Sequence, residues 1–427
     1  MIIHVVQIGD TIQSIADYYG ISVIRLIQDN DLEAPNHLVI GQSIVIAIPE
    51  ITYTIKEGDT LVNIANSFDV PVMQLLMNNP FLSNRAFIYP GETITISYSK
   101  KGSMTIHGNT APNINRDILI KTLPYLTYLS IINFTATKEG EIITYYDDTE
   151  IISTAKEFDV MPLMLLTTLT IQGTANIGIE YDLLLNQDFQ QKFINNALDI
   201  LKTKGYYGVN ISFQYINISN ILLYDQFFTL ITDRLNAAGF HVFVTINPNL
   251  SNFNNNVRFE RVDYSNLNQL AQNIIFMNYN WASNISPPSP ISSVYDLDVF
   301  LDYVNNFISP DKIIIGIPNI GYDWELPFLP GFSSVYSLTL NSAIALARNN
   351  NSSIQFDELS QTPYFLYTQN NIQHIVWFID ARSINALLDL AISYELYGAS
   401  IWNITIYNAQ LWLIINSQYE IKKIVIE

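Results

Sequence analysis

Gly205-Tyr206-Tyr207-Gly208-Val209-Asn210-Ile211-Ser212-Phe213-Gln214-Tyr215 is the stretch on which the reading of most of this 427-residue chain turns. Side chains alternate along a strand, so Val209, Ile211, Phe213 and Tyr215 share one face and Asn210, Ser212 and Gln214 the other. A strand inside a parallel sheet is normally apolar on both faces. Three polar residues on one face, running to the C-terminal end, mark a site, because a parallel barrel carries its chemistry at that end. Working outward, further apolar runs occur at Met104–His107, Tyr128–Phe134, Met161–Thr168, Gly208–Gln214, His241–Ile246, Ile274–Tyr279, Lys312–Pro318 and Tyr397–Asn403. Most are separated by amphipathic segments, the clearest being Phe189–Lys204 with Phe193, Ala197, Ile200 and Leu201 on one stripe. Eight strands alternating with helices predict an α/β fold, a (β/α)₈ TIM barrel over residues 100–427. The gap between the last two runs is too long for a simple loop. It predicts an α+β insertion at about 322–385 that walls the C-terminal face.

Ahead of the barrel the chain repeats itself. Gly9-Asp10-Thr11 recurs as Gly58-Asp59-Thr60, Ile15-Ala16 as Ile64-Ala65, Leu26 as Leu75 and Asn30 as Asn79. Gly41-Gln42 then matches Gly91-Glu92 after a one-residue insertion. Each unit reads strand, helix, helix, strand, with strands at Ile2–Gln7 and Ser43–Ile48, then Thr52–Lys56 and Thr93–Tyr98. Glycine permits the turn after the first strand, and Asp or Thr can cap the helix that follows. Ile12, Ile15, Ala16 and Tyr19, and likewise Leu61, Ile64, Ala65 and Phe68, recur at helical spacing. These units resemble the LysM module, which implies two small βααβ domains, residues 1–49 and 50–99. The resemblance also implies binding of N-acetylglucosamine polymers such as peptidoglycan and chitin, by residues in the loops after each first strand and before each last strand. Two structural domains with no ligand are the alternative.

Composition excludes several functions. Hydrophobic residues make up 49% and charged residues 14%, the balance of a folding chain. A net charge of -19 leaves no basic patch to neutralise phosphates, which argues against a nucleic-acid partner and fits poorly with anionic membranes. There is no cysteine, so disulfides, thiolate nucleophiles and cysteine-based metal sites are excluded. His4, His37, His107, His241 and His374 lie far apart without metal-binding spacing, and neither metal nor cofactor is expected. No run of roughly 18 or more apolar residues marks a membrane insertion. The N-terminus lacks the basic and apolar regions of a secretory signal.

The stretch Gly208–Tyr215 also resembles the fourth-strand motif of the family-18 glycoside hydrolases. The match is with the branch that carries two LysM modules, the spore cortex-lytic N-acetylglucosaminidases, where the motif looks like GxNIDFEY. Here Ser212 stands at the aspartate and Gln214 at the acid glutamate. Met277-Asn278-Tyr279-Asn280-Trp281 is similar to the sixth-strand MxYDW, with Asn280 at the aspartate. Ile315-Gly316-Ile317-Pro318, Gly321-Tyr322-Asp323-Trp324, Gln361-Thr362-Pro363-Tyr364-Phe365 and Val376–Ser383 extend the resemblance, with Ile379 replacing another acidic residue. Gly398-Ala399-Ser400-Ile401-Trp402 completes it and implies that Trp402 floors a sugar subsite.

The resemblance implies a substrate-assisted mechanism, an exception to the two-carboxylate scheme. The 2-acetamido oxygen attacks the anomeric carbon, the glutamic acid protonates the leaving oxygen, and the aspartate orients the acetamido group and stabilises the oxazolinium. Glutamine keeps the acid's shape but has no proton to give, and general acid catalysis is worth about 10²–10⁴-fold. Losing a charge aimed at a developing cation costs roughly 3 kcal/mol or more. The expectation is a degenerate hydrolase with no catalytic residue, binding spore peptidoglycan or another N-acetylglucosamine polymer through Asn210, Ser212, Gln214, Met277, Tyr279, Asn280 and Trp402. Asn210, Ser212 and Gln214 could instead be interior filler. One alternative is an active N-acetylglucosaminidase with a displaced acid among Asp323, Glu325, Asp357, Glu358 and Asp380, although Asp380 beside Arg382 reads better as a structural pair. Another is a structural protein that binds spore-coat proteins. The resemblance further implies a place in the spore coat or cortex, reached from the mother-cell cytoplasm without a signal peptide.

Overall fold

The computed structural model describes residues 1–83, 85, 87–169, 177–213, 216–253, 255–277 and 285–424. In each N-terminal repeat two antiparallel strands flank two helices: Ile2–Val5 pairs with Ser43–Ile46, and Ile51–Thr54 with Thr93–Ser97. Gly9 and Gly58 turn the chain at φ of 91° and 86°, the left-handed region that glycine enters without a Cβ clash. Thr11 and Thr60 cap the first helices, Ile12–Tyr19 and Leu61–Ser67, by accepting from the amides of Ser14 and Asn63. Asp10 and Asp59 have a different task. Each closes the turn by accepting from the amide of Gln7 or Lys56 at 2.7 Å, and is braced by His4 at 3.0 Å or Tyr53 at 2.8 Å.

Asn30 and Asn79 are buried pins. Each donates one turn back, to the carbonyl of Leu26 or Leu75, and also to the carbonyl of Val45 or Thr95 in the last strand. Each then accepts the amide of that same strand residue, at 2.7 and 2.8 Å. Much of the repeat pattern is therefore the folding code of the module.

The barrel strands are β1 Gly102–Thr110, β2 Tyr128–Ala136, β3 Met161–Thr167, β4 Gly208–Ser212, β5 His241–Ile246, β6 Asn273–Phe276, β7 Ile313–Pro318 and β8 Gly398–Trp402. They pair in parallel in that order, and β1 pairs with both β2 and β8, so the sheet closes. Val209, Ile211, Val244 and Ile315 point outward into the core under the helices. Tyr128, Leu163, Phe243, Ile275 and Ile314 form the inner cluster, as the two-residue strand period requires. Among the described residues, no helix is long and apolar enough to cross a membrane.

Between β7 and β8 an antiparallel sheet is inserted, with strands in the spatial order Val335–Leu338, Gly321–Leu326, Ile372–Phe378, Thr362–Gln369 and Gln355–Asp357. Its Tyr322 and Trp324 join the barrel's outer core. Its other face, with Phe365, Val376 and Phe378, packs on Ala343 and Ala347 of helix Leu340–Asn349. The last helix, Ala409–Gln418, is buried from Gln410 to Gln418 because both repeats lie on it. Gln410 donates to Asn30 Oδ1 at 3.1 Å and to the Ser43 carbonyl at 2.9 Å, and Asn416 donates to Asn78 Oδ1 at 2.8 Å.

Candidate glycan site at the barrel mouth

None of the eight barrel strands contains an aspartate, glutamate, lysine or arginine. A neutral hydrogen-bonded chain crosses the interior instead. Thr245 donates to Asn210 Oδ1 at 2.7 Å, and Asn210 Nδ2 donates to Ser130 Oγ at 3.1 Å. His107 bridges Ser130 and Ser400, each at 2.7 Å, and Asn109 Nδ2 reaches Ser400 Oγ at 3.0 Å. Full burial disfavours the imidazolium and pushes the His107 pKa down to about 3, so the chain stays uncharged at neutral pH.

Above this layer the strands end. Ser212 ends β4 in register with Thr167 of β3 and Thr245 of β5. Met277 directly follows β6, its amide donating to the Ile246 carbonyl at 2.9 Å. Trp402 ends β8 opposite Pro318 and packs, partly exposed, against the inner cluster that includes Met277. Ser212, Met277 and Trp402 thus lie at the same, C-terminal end of the barrel, with Asn210 fully buried one layer below. Gln214, Tyr279 and Asn280 lie outside the described residues, as does Trp281.

The carboxylates considered as displaced acids are held elsewhere. Asp323 accepts from Tyr367 OH at 2.6 Å and meets His374 Nδ1 at 3.1 Å, its neighbours on the sheet face turned to helix Leu340–Asn349. Asp357 accepts from the amide and hydroxyl of Ser360, each at 2.7 Å. Asp380 caps helix Ala381–Ser393 and pairs with Arg382 at 2.7 Å. Glu325 accepts from the Ser334 amide, which lowers its pKa. Glu358 is exposed. Ile379 sits in the outer core. Sequence reasoning passed over Glu180, a fully buried carboxylate that accepts from Thr168 Oγ1 at 2.5 Å and from Tyr224 OH. Tyr224 packs near Phe213 on the outer side of the β4 wall. No local motif marks such a glutamate.

The turns before the last strands of the two repeats are built alike but meet different surroundings. The Val39 amide donates to Gln42 Oε1 at 3.1 Å, and the Tyr89 amide to Glu92 Oε2 at 3.2 Å. In the first repeat Val39 joins the insertion's core. The Ile354 amide donates to the Ile40 carbonyl at 2.9 Å, and Arg382 Nη2 to the Gly41 carbonyl at 3.1 Å. In the second repeat Tyr89 and Gly91 are exposed.

A closed barrel with this insertion and mouth, preceded by two βααβ repeats, defines a glycosidase-type architecture with LysM modules. Residues 109–406 match Glycosyl hydrolases family 18, and residues 4–47 and 53–97 each match the LysM domain. The chain belongs to glycosyl hydrolase family 18. It is 30% identical over 425 residues to the cortical fragment-lytic enzyme of Bacillus anthracis, covering 98% of each chain. The crystal structure of the spore cortex-lytic enzyme SleL of Bacillus megaterium QM B1551 superposes with a TM-score of 0.80 at 30% identity, covering 99% of each chain. The Bacillus cereus SleL structure gives 0.79 at 28% identity, again over 99% of each chain.

Proposed function

We propose that this protein binds N-acetylglucosamine-containing glycan, the peptidoglycan of the spore cortex, without hydrolysing it. Three units contribute: LysM modules at 1–49 and 50–99, and a family-18 barrel at 100–427. The single observation that carries this reading is that none of the eight barrel strands bears a charged side chain. Acid-assisted cleavage needs a proton donor on the leaving oxygen and a negative charge near the oxazolinium. The strand ends offer Ser212 where the family motif has aspartate, and the sequence offers Gln214 where it has the acid. Asp323, Asp357 and Asp380 already serve hydrogen bonds or ion pairs of the fold, which speaks against their service as substitute acids.

Amides, hydroxyls and an aromatic floor are the groups that hold a neutral sugar. Asn210, Ser212, Gln214, Met277, Tyr279, Asn280 and Trp402 are proposed to form that site. The relatives named for cortex lysis support a place in the spore coat or cortex, with spore-coat proteins as proposed partners. Direct titration with cortex fragments beside a hydrolysis assay tests the proposal. Binding without release of reducing sugar is expected, and release would sink it.

A further inference from the structure

A cleft of about 710 Å³ separates the two LysM modules, within the roughly 300–1,000 Å³ typical of small-ligand sites. One wall is the connection between the two helices of the first module and the start of the second helix, with Ile21, Ser22 and Ile24. The other is the open turn and last strand of the second, with Pro90, Glu92 and Thr93. Its charges cancel internally. Arg25 Nε meets Asp29 Oδ1 at 2.7 Å, and its Nη atoms donate to Asn79 Oδ1, the Asn78 carbonyl and Tyr98 OH. Glu92 is paired with Arg85 at 2.7 Å. Among its described lining residues the cleft therefore offers no open cation to an anion and no open carboxylate to a cation. What remains is apolar surface beside the hydroxyls of Ser22, Thr52 and Thr93. Such a lining suits a neutral, amphipathic ligand, and an N-acetylated sugar chain has apolar ring faces and methyls next to hydroxyls and amides. The modules are also unequal, since the turn 39–42 of the first is committed to the barrel insertion while the turn 89–92 of the second opens onto the cleft.

We propose that one N-acetylglucosamine chain binds in this cleft, shared by both modules, in place of one chain in a separate groove on each. This rests on the glycan-binding reading above. The test is calorimetric titration of the full-length protein with the N-acetylglucosamine hexamer, in a Trp402→Ala background that weakens the barrel site. One site per protein is expected. Ile24→Glu and Thr93→Trp, both at exposed positions lining the cleft, should each lower affinity at least ~10-fold, the effect of ~1.4 kcal/mol. Ile8→Ala and Phe87→Ala, which probe separate grooves in the loops, should change it less than about twofold. Two sites, lost on Ile8→Ala and Phe87→Ala but indifferent to the cleft changes, would overturn the shared cleft and leave glycan binding standing. No heat with the hexamer and no retention on insoluble peptidoglycan would overturn both.

Discussion

Alanine at Gly41 should be far more damaging than alanine at Gly91, although both glycines occupy the same turn at φ of 84° and 90°. The shared cost is conformational, about 1 kcal/mol for an L-residue in the left-handed region. At Gly91 a Cβ would meet nothing within 4 Å, so that is the whole cost. At Gly41 the Cβ would lie 1.9 Å from the Ile354 carbonyl oxygen and 2.8 Å from its carbon. The Cβ is fixed rigidly to the turn and the atoms it meets are backbone, so the turn must withdraw from the insertion. Withdrawal breaks the Ile354–Ile40 bond, worth about 1 kcal/mol net, and the Arg382–Gly41 bond, about 1.5–3 kcal/mol for a charged donor. It also uncovers part of Val39, about 1 kcal/mol. The expected loss is ~4.5–6 kcal/mol for Gly41→Ala against ~1 kcal/mol for Gly91→Ala. A chain of this size need not unfold in two states, so urea midpoints should be read beside hydrogen exchange at the Ile354 amide. Equal losses in the two variants, or an Ile354 amide as protected in Gly41→Ala as in the unmodified protein, would refute the docking of the first module on the barrel.

Asn30→Ala and Asn79→Ala should each cost ~2–4 kcal/mol, because each strands a buried strand amide and carbonyl; thermal unfolding within ~0.5 kcal/mol of the parent would remove the pin from the account. His107 has a folded pKa depressed to about 3, against ~6.5 when unfolded. The unfolded chain therefore binds the extra proton between these values. The stability from neutral His107 is complete above the unfolded pKa and falls away as pH drops toward the folded one. His107→Gln should flatten that slope, and urea midpoints at acid and neutral pH that retain the parental difference would contradict it. Trp402→Ala should weaken binding of N-acetylglucosamine oligomers by the barrel about tenfold, equivalent to ~1.4 kcal/mol; an unchanged titration would remove the mouth from the glycan site.

The barrel was legible because its strands are short apolar runs of period two whose parity separates Asn210 and Ser212 from Val209 and Ile211. The α/β alternation then leaves few topologies. The modules were legible from their repeat, yet repetition alone could not assign roles. Asp10 closes a turn while Thr11 caps the helix, and Asn30 ties a helix to a strand, distinctions that need hydrogen-bond geometry. Docking was illegible for a different reason. Gly41 meets Ile354 and Arg382 across more than three hundred positions of sequence, and nothing local encodes that encounter. One signal was available and missed. Helix Ala409–Gln418 has no charge on any face, only Gln410, Asn416, Ser417 and Gln418 among apolar residues, and a helix without a charged face is usually covered on all sides. At the site, the inward parity of Asn210 was readable, but its ties to Thr245 and Ser130 were not.

The central claim, binding without cleavage, is tested most directly by incubating the unmodified protein with cortex fragments and measuring reducing ends from acid to neutral pH. No release above buffer is expected. Restoring both carboxylates, Gln214→Glu with Ser212→Asp, should yield more activity than the two single changes together, because both groups act on one transition state. Sustained release of reducing sugar by the unmodified protein would contradict the claim.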